Sequence, residues 1–134
     1  MAKAVDKKAT KVVRKKVKKS VYSGSIYIQS SFNNTIISVT DEDGNVVTWA
    51  SAGSIGFKGT KKSTPYAAQL AATDAVEKAK AYGLSKVKVF VSGVGAGRES
   101  AVRALINSNL TVETIKDITP IAHNGCRAKK ERRV

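Results

Sequence analysis

The stretch from Lys86 to Ile106 constrains the fold more than any other. Its first seven residues, Lys-Val-Lys-Val-Phe-Val-Ser, alternate as a strand does, with Val87, Val89 and Val91 on one face. Gly93, Gly95 and Gly97 then break the extended run, and Ala101, Val102, Leu105 and Ile106 return at helical spacing. Such a joint is where proteins hold phosphate. Glycines admit close approach of the backbone, and the first helical turn offers free N–H groups at the positive end of the helix dipole. Arg98 opens that helix and adds a full charge. A glycine-rich turn that merely joins strand to helix is the other reading.

Both nucleotide-binding motifs are defective here. A Walker-type loop needs Lys-Ser or Lys-Thr after its last glycine, because the lysine reaches the terminal phosphates and the hydroxyl holds magnesium. Arg98 and Glu99 occupy those places. The dinucleotide fingerprint needs its third glycine where Arg98 stands, although Glu113 falls about 20 residues downstream as that pattern asks. Glu113 is read as a coincidence within a strand.

Charge placement points to a larger polyanion. The 134 residues suit one domain and carry a formal charge of +14. Residues 1–20 hold nine Lys or Arg against Asp6, and residues 119–134 hold five against Glu131. The segment between them holds ten against eight, so the body is nearly neutral and the ends are basic arms. Arms of that composition bind polyanions, because each neutralised phosphate releases condensed counterions. Membrane binding is disfavoured: no apolar run reaches the length of a span, and the basic start lacks an aromatic anchor and the apolar core of a secretory signal. The expected location is intracellular. Cys126 is the only cysteine and His123 the only histidine, which excludes an internal disulfide and a protein-only zinc site. No metal or other cofactor is expected.

Taken in order, the body reads as three strands, a helix, a strand, a helix and a strand. Ser25 to Ser30, Thr35 to Thr40 and Val46 to Ser51 form a meander, turned at Phe32-Asn33-Asn34 and at Asp41-Glu42-Asp43-Gly44-Asn45. The acidic turn is turn chemistry, since three consecutive side chains diverge and calcium loops use alternate positions. Ala52 to Lys62 has no period and combines Phe57 with Lys58, Lys61 and Lys62, the equipment for backbone and base contact with RNA. Thr64 caps a helix with Pro65 at its first position, and Gly83 ends it. Its face of Ala68, Ala71, Ala72, Ala75 and Ala79 is small enough to lie close on a sheet. Lys86 to Ser92, a helix over residues 98–108, and an edge strand over Thr111 to Ile118 complete an α/β body at residues 21–118. Helical crossovers favour parallel pairing, which gives a mixed five-stranded sheet with two main helices and basic extensions at residues 1–20 and 119–134.

Several segments then resemble a known family: Ser31-Phe32-Asn33-Asn34-Thr35, Trp49-Ala50-Ser51-Ala52-Gly53, Gly56-Phe57-Lys58-Gly59, Ser63-Thr64-Pro65-Tyr66-Ala67, Gly97-Arg98-Glu99-Ser100 and His123-Asn124-Gly125-Cys126-Arg127. Their order and spacing over residues 21–134 resemble the eleventh protein family of the small ribosomal subunit, in its bacterial form. The resemblance implies a ribonuclease-H-like mixed sheet and a place on the subunit's platform. There the family ties together several helices of the ribosomal RNA and shares in the cleft that holds the messenger's Shine-Dalgarno pairing. It also implies contacts with the seventh and eighteenth small-subunit proteins, and a cytoplasmic location on the ribosome. Ser92 and Val94 stand where the family commonly has Lys and Pro, and Ala122 and Ala128 replace frequent prolines of the tail.

The expected interface follows from these readings. Arg98 and the amides of Gly93, Gly95 and Gly97 take phosphates, and Lys58, Lys61 and Lys62 take a second RNA segment. Asn33 and Asn34 bond sugars or base edges, Phe57 stacks or packs, and Arg127, Lys129, Lys130, Arg132 and Arg133 supply tail contacts. His123 and Asn124 belong to the same tail, where His123 shapes a turn rather than performs catalysis. Trp49 is read as core or edge packing. A nuclease is the rival reading, but it needs carboxylates converging at the sheet centre, and Ser25 to Ser30 has none. A nucleotide-binding enzyme using the glycine loop is the other.

Overall fold

A computed structural model describes residues 19–133. The expectation of a basic arm at residues 1–20 therefore lies, but for Lys19 and Ser20, outside the described residues. The elements are β1 (Ser23–Ser30), β2 (Thr35–Asp41), β3 (Val46–Ser51), α1 (Ala52–Ile55), a 3-10 helix (Gly59–Ser63), α2 (Pro65–Lys80), β4 (Lys86–Gly93), α3 (Arg98–Ile106) and β5 (Thr111–Asp117). The sheet order is β3-β2-β1-β4-β5, with β2 antiparallel to both neighbours and β1, β4 and β5 mutually parallel. This is the ribonuclease-H-like mixed sheet that the resemblance implied.

Strand periodicity decides which side is buried. Ile26 and Ile28 of β1, Ile37 and Val39 of β2, and Val87, Val89 and Val91 of β4 are nearly fully covered. Against them lies the alanine face of α2, with Ala68, Ala71, Ala72, Ala75 and Ala79 all buried. Small side chains bring the helix axis close to the sheet, so the branched side chains of the strands fill the space between. Each of Ile26, Ile28, Ile37 and Leu105 contributes roughly 1.5–3 kcal/mol through that burial.

The connection from Ala52 to Lys62 is more ordered than its lack of period predicts. Ser51 Oγ accepts from Ser54 N–H at 3.1 Å and Ser54 Oγ accepts from Ser51 N–H at 2.9 Å, a reciprocal cap that starts α1. Gly56, at φ 119°, ends it after a single turn. A turn held by its own caps needs no apolar repeat, which is why periodicity misses it.

The start of α2 is as expected. Thr64 Oγ1 accepts from Ala67 N–H at 3.3 Å and Pro65 takes the first helical position. Thr64→Ala is expected to cost about 1 kcal/mol in urea denaturation of the full chain, without change of fold. The helix ends at Lys80, and Gly83 lies in the turn beyond it. Trp49 is not part of the core: it alternates with Ala50, which takes the helix side, and it stands 53% exposed on the opposite face of the edge strand β3.

Candidate nucleic-acid interface

The sheet's polarity assembles the site. Because β2 is antiparallel to both β1 and β3, those two run in the direction of β4 and β5, and four strands end on one rim. That rim receives the β1–β2 turn, the connection from β3 to α2, the glycine loop and the start of the C-terminal tail. Asn33, Asn34, Phe57, Lys58, Lys61, Lys62, Gly93, Gly95, Gly97 and Arg98 therefore fall on one edge of the molecule. The acidic turn falls on the other. There Asp41 accepts from Asn45 N–H at 2.8 Å, which holds its carboxyl below the usual carboxylate range.

The β1–β2 turn is shaped from within. Ser31 Oγ accepts from the N–H of Asn33 at 3.4 Å and of Asn34 at 3.1 Å, and Asn34 Oδ1 accepts from Thr35 N–H at 2.9 Å. Asn34 thus spends its carbonyl on the turn, whereas Asn33 is exposed. Phe32, at the tip, is 76% exposed. In the second loop Phe57 meets Tyr66 edge-on, with ring centroids 6.0 Å apart. Tyr66 is 62% exposed beside Lys58, Lys61 and Lys62, none of which has a carboxylate within ion-pair distance among the described residues. Sequence reasoning passed over Phe32 and Tyr66. The available signal was position: an aromatic in a turn or in the first turn of a helix has no apolar neighbour at strand or helix spacing to bury it.

The glycine loop approaches the protein's own backbone. A Cβ at Gly93, where φ is +97°, would lie 2.0 Å from Ser30 O, and one at Gly95 would lie 2.3 Å from Ser31 O. One at Gly97 would meet Thr35 Oγ1 at 2.5 Å and Ala68 Cβ at 2.6 Å. Packing against β1, β2 and α2 is thus sufficient reason for all three glycines. Glu113 is the bulged residue of β5, beside the start of β4. It is separated from the loop by the length of a strand, on the order of 20 Å, so no single nucleotide spans both.

Arg98 is tied inward. Its Nη1 donates to Gly93 O at 2.6 Å and its Nη2 donates to Asp117 Oδ2. Thr119 Oγ1 donates to Asp117 Oδ1 at 2.6 Å and accepts from Gly93 N–H at 3.2 Å, joining the ends of β4 and β5 to the start of α3. Chiefly through the Thr119 hydroxyl, then the Arg98 guanidinium and the Thr119 N–H, the Asp117 carboxyl is held far below the usual range. A depressed pKa gives stability that is present above the unfolded value, about 4 for an aspartate, and is lost as pH falls toward the folded value. Asp117→Asn is therefore expected to flatten the acid limb of a urea-midpoint profile below about pH 4. An unchanged acid limb would count against the network.

The described residues beyond Thr119, 120–133, have no regular secondary structure. His123, Asn124, Arg127, Lys129, Lys130, Arg132 and Arg133 are all exposed, and Asn124 takes a left-handed φ of 61°. The arrangement offers three lysines on one connection, three exposed or half-buried aromatics and a cationic tail that leaves the same rim, a chemistry suited to contact with folded RNA.

Comparison with known proteins places the chain in a family. The sequence model described as "Ribosomal protein S11" matches residues 24–133. The chain is 59% identical over 123 residues to "Small ribosomal subunit protein uS11" of Thermus thermophilus, covering 92% of this chain and 95% of that protein. It is 55% identical over 121 residues to the protein of the same name from Borreliella burgdorferi, covering 90% and 93%. With a family match over nearly the whole body and identity above half, the chain belongs to the ribosomal protein S11 family, whose members are structural and not catalytic proteins of the small ribosomal subunit.

Proposed function

We propose that this protein binds small-subunit ribosomal RNA through the rim and the C-terminal tail, acting in the cytoplasm as part of the ribosome. The rim lies on the platform and bridges several RNA helices, with the seventh and eighteenth small-subunit proteins beside it. Part of the same surface borders the cleft that holds the messenger's Shine-Dalgarno pairing. Asn33, Phe57, Lys58, Lys61 and Lys62 touch RNA directly, together with the tail residues His123, Asn124, Arg127, Lys129, Lys130, Arg132 and Arg133. Gly93, Gly95, Gly97 and Arg98 hold the rim in shape rather than cradle phosphate, since Gly93 N–H is spent on Thr119, Gly95 N–H on Ser30 O and Arg98 on Gly93 O and Asp117, and Asn34 fixes the turn that presents Asn33.

The observation that carries this reading is the convergence of four strand ends on one cationic rim, with the acidic turn on the opposite one. The three lysines of the β3–α2 connection and the cations of the tail reach separate RNA segments, which is how a small body screens the mutual repulsion of neighbouring helices. Sedimentation of a cell extract tests it. The protein is expected to travel with small subunits and to leave them only at high salt or after RNA digestion. A predominant free pool overturns the reading.

A further inference from the structure

The sheet has two faces, and among the described residues helices cover only the one that carries Ile26, Ile28, Ile37 and Val89. On the other, the strand register sets Trp49, Ser38, Tyr27, Phe90 and Lys116 in one row across all five strands. Tyr27 and Phe90 stack, with ring centroids 5.1 Å apart and planes 16° apart. Ile36 extends the apolar row on β2, 39% exposed beside the half-exposed Trp49. Among the described residues nothing packs over this aromatic row.

Three occupants from outside the chain are conceivable, and the charges and geometry separate them; the chain's own first eighteen residues are a fourth, which crosslinking distinguishes. RNA fits poorly. Lys86, Lys88 and Lys116 share this face with Glu42 and Glu113, so it holds a small part of a +14 chain's surplus. A surface meant for phosphates has no reason to keep carboxylates. Tyr27 and Phe90 also spend one face each on the other, which leaves ring edges where a base would need a platform. A second copy fits poorly as well, since two chains of +14 repel. The row from Trp49 to Phe90 is only about 14 Å long by strand spacing, well short of the roughly 800 Å² per partner of a free-standing dimer.

A different protein, held in place by the same RNA, needs only a small contact. The composition suits it: Trp, Tyr and Phe are enriched and charge is depleted at the centre of protein interfaces, with charge at the margin. Lys116 stands at that margin with no carboxylate in ion-pair distance among the described residues. We propose that the open sheet face seats a neighbouring small-subunit protein, which lays an amphipathic segment over Trp49, Ile36, Tyr27 and Phe90 and sets a carboxylate against Lys116. The inference rests on the placement in the subunit proposed above. It divides the molecule by chemistry, with RNA on the rim and protein on the sheet.

Photo-crosslinking from two positions of the full chain tests it. Trp49→p-benzoylphenylalanine and, separately, Lys61→p-benzoylphenylalanine are incorporated into small subunits, irradiated, and the adducts identified by mass spectrometry. From position 49 the expected adduct is a different small-subunit protein, and from position 61 it is ribosomal RNA. An adduct from position 49 to RNA, to a second copy or to this chain's own first eighteen residues overturns the proposal, as does no adduct. Failure at position 61 alone counts against the rim reading and leaves the result at 49 standing. Because the bulky group itself perturbs the face, the unmodified chain supplies a second readout. Hydroxyl-radical oxidation of Trp49, the only tryptophan, is expected to fall about fivefold from the free chain to the intact subunit as the contact excludes water. Equal oxidation in both overturns the proposal.

Discussion

Gly97→Val is expected to cost about 3–5 kcal/mol, enough to unfold much of the chain at physiological temperature. The added Cβ meets Thr35 Oγ1 at 2.5 Å and Ala68 Cβ at 2.6 Å, and both belong to residues that are fully buried. Neither neighbour is the free end of a flexible side chain, so either α2 or β2 must move. Gly93→Ala is expected to be similarly severe, because it combines a φ of +97° with a Cβ 2.0 Å from Ser30 O. Gly44→Ala is the control. Its φ is +88° but nothing lies within 4 Å of the new Cβ, so only about 1 kcal/mol of conformational strain is expected. Urea denaturation of the full-length variants measures all three. Normal stability of Gly97→Val together with lost RNA binding would return the loop to the phosphate-cradle reading.

Replacing Lys58, Lys61 and Lys62 together by Glu is expected to abolish incorporation into small subunits while the isolated body stays folded. The three lie on a loop outside the core, and Lys58 and Lys61 are exposed. None contributes an ion pair among the described residues. Every lysine–phosphate pair removed lowers the slope of log affinity against log salt by about one, so binding to ribosomal RNA should become both weaker and less salt-dependent. Circular dichroism and the urea midpoint check that the body is intact. Normal incorporation would remove this loop from the interface.

How much of this was legible in the sequence depends on the range of the interaction. Val87, Val89 and Val91, and the alanines of α2, announce their elements because burial repeats with the period of the backbone. Thr64-Pro65 announces a helix start because capping is local. The short α1 escapes a periodicity argument because two serines and one glycine hold it, with no apolar repeat. The roles of Gly95, Gly97 and Arg98 depend on partners far along the chain, at Ser31, Thr35, Ala68 and Asp117, and no window of residues contains both ends of such a contact. For the same reason Trp49 reads as a packing residue until register sets it beside Ser38 on the open face. The loops of the interface are each visible singly; that they share one rim is a property of strand direction.

The tail's point of departure bears on how it would meet RNA in the proposed role. Ile118 N–H donates to Val91 O at 2.8 Å and Thr119 is bonded to both Gly93 and Asp117, so residues 120–133 are tethered beside the glycine loop. Were the tail to behave as a random coil before docking, fourteen residues would reach over about 20 Å. On the RNA-binding role proposed above, a body docked first would bring the tail's five cations to nearby phosphates at an effective concentration on the order of millimolar, each later contact being intramolecular. Docking in that order would turn a string of weak charges into a latch, whose grip would depend as much on Thr119 and Asp117 as on the tail's own cations.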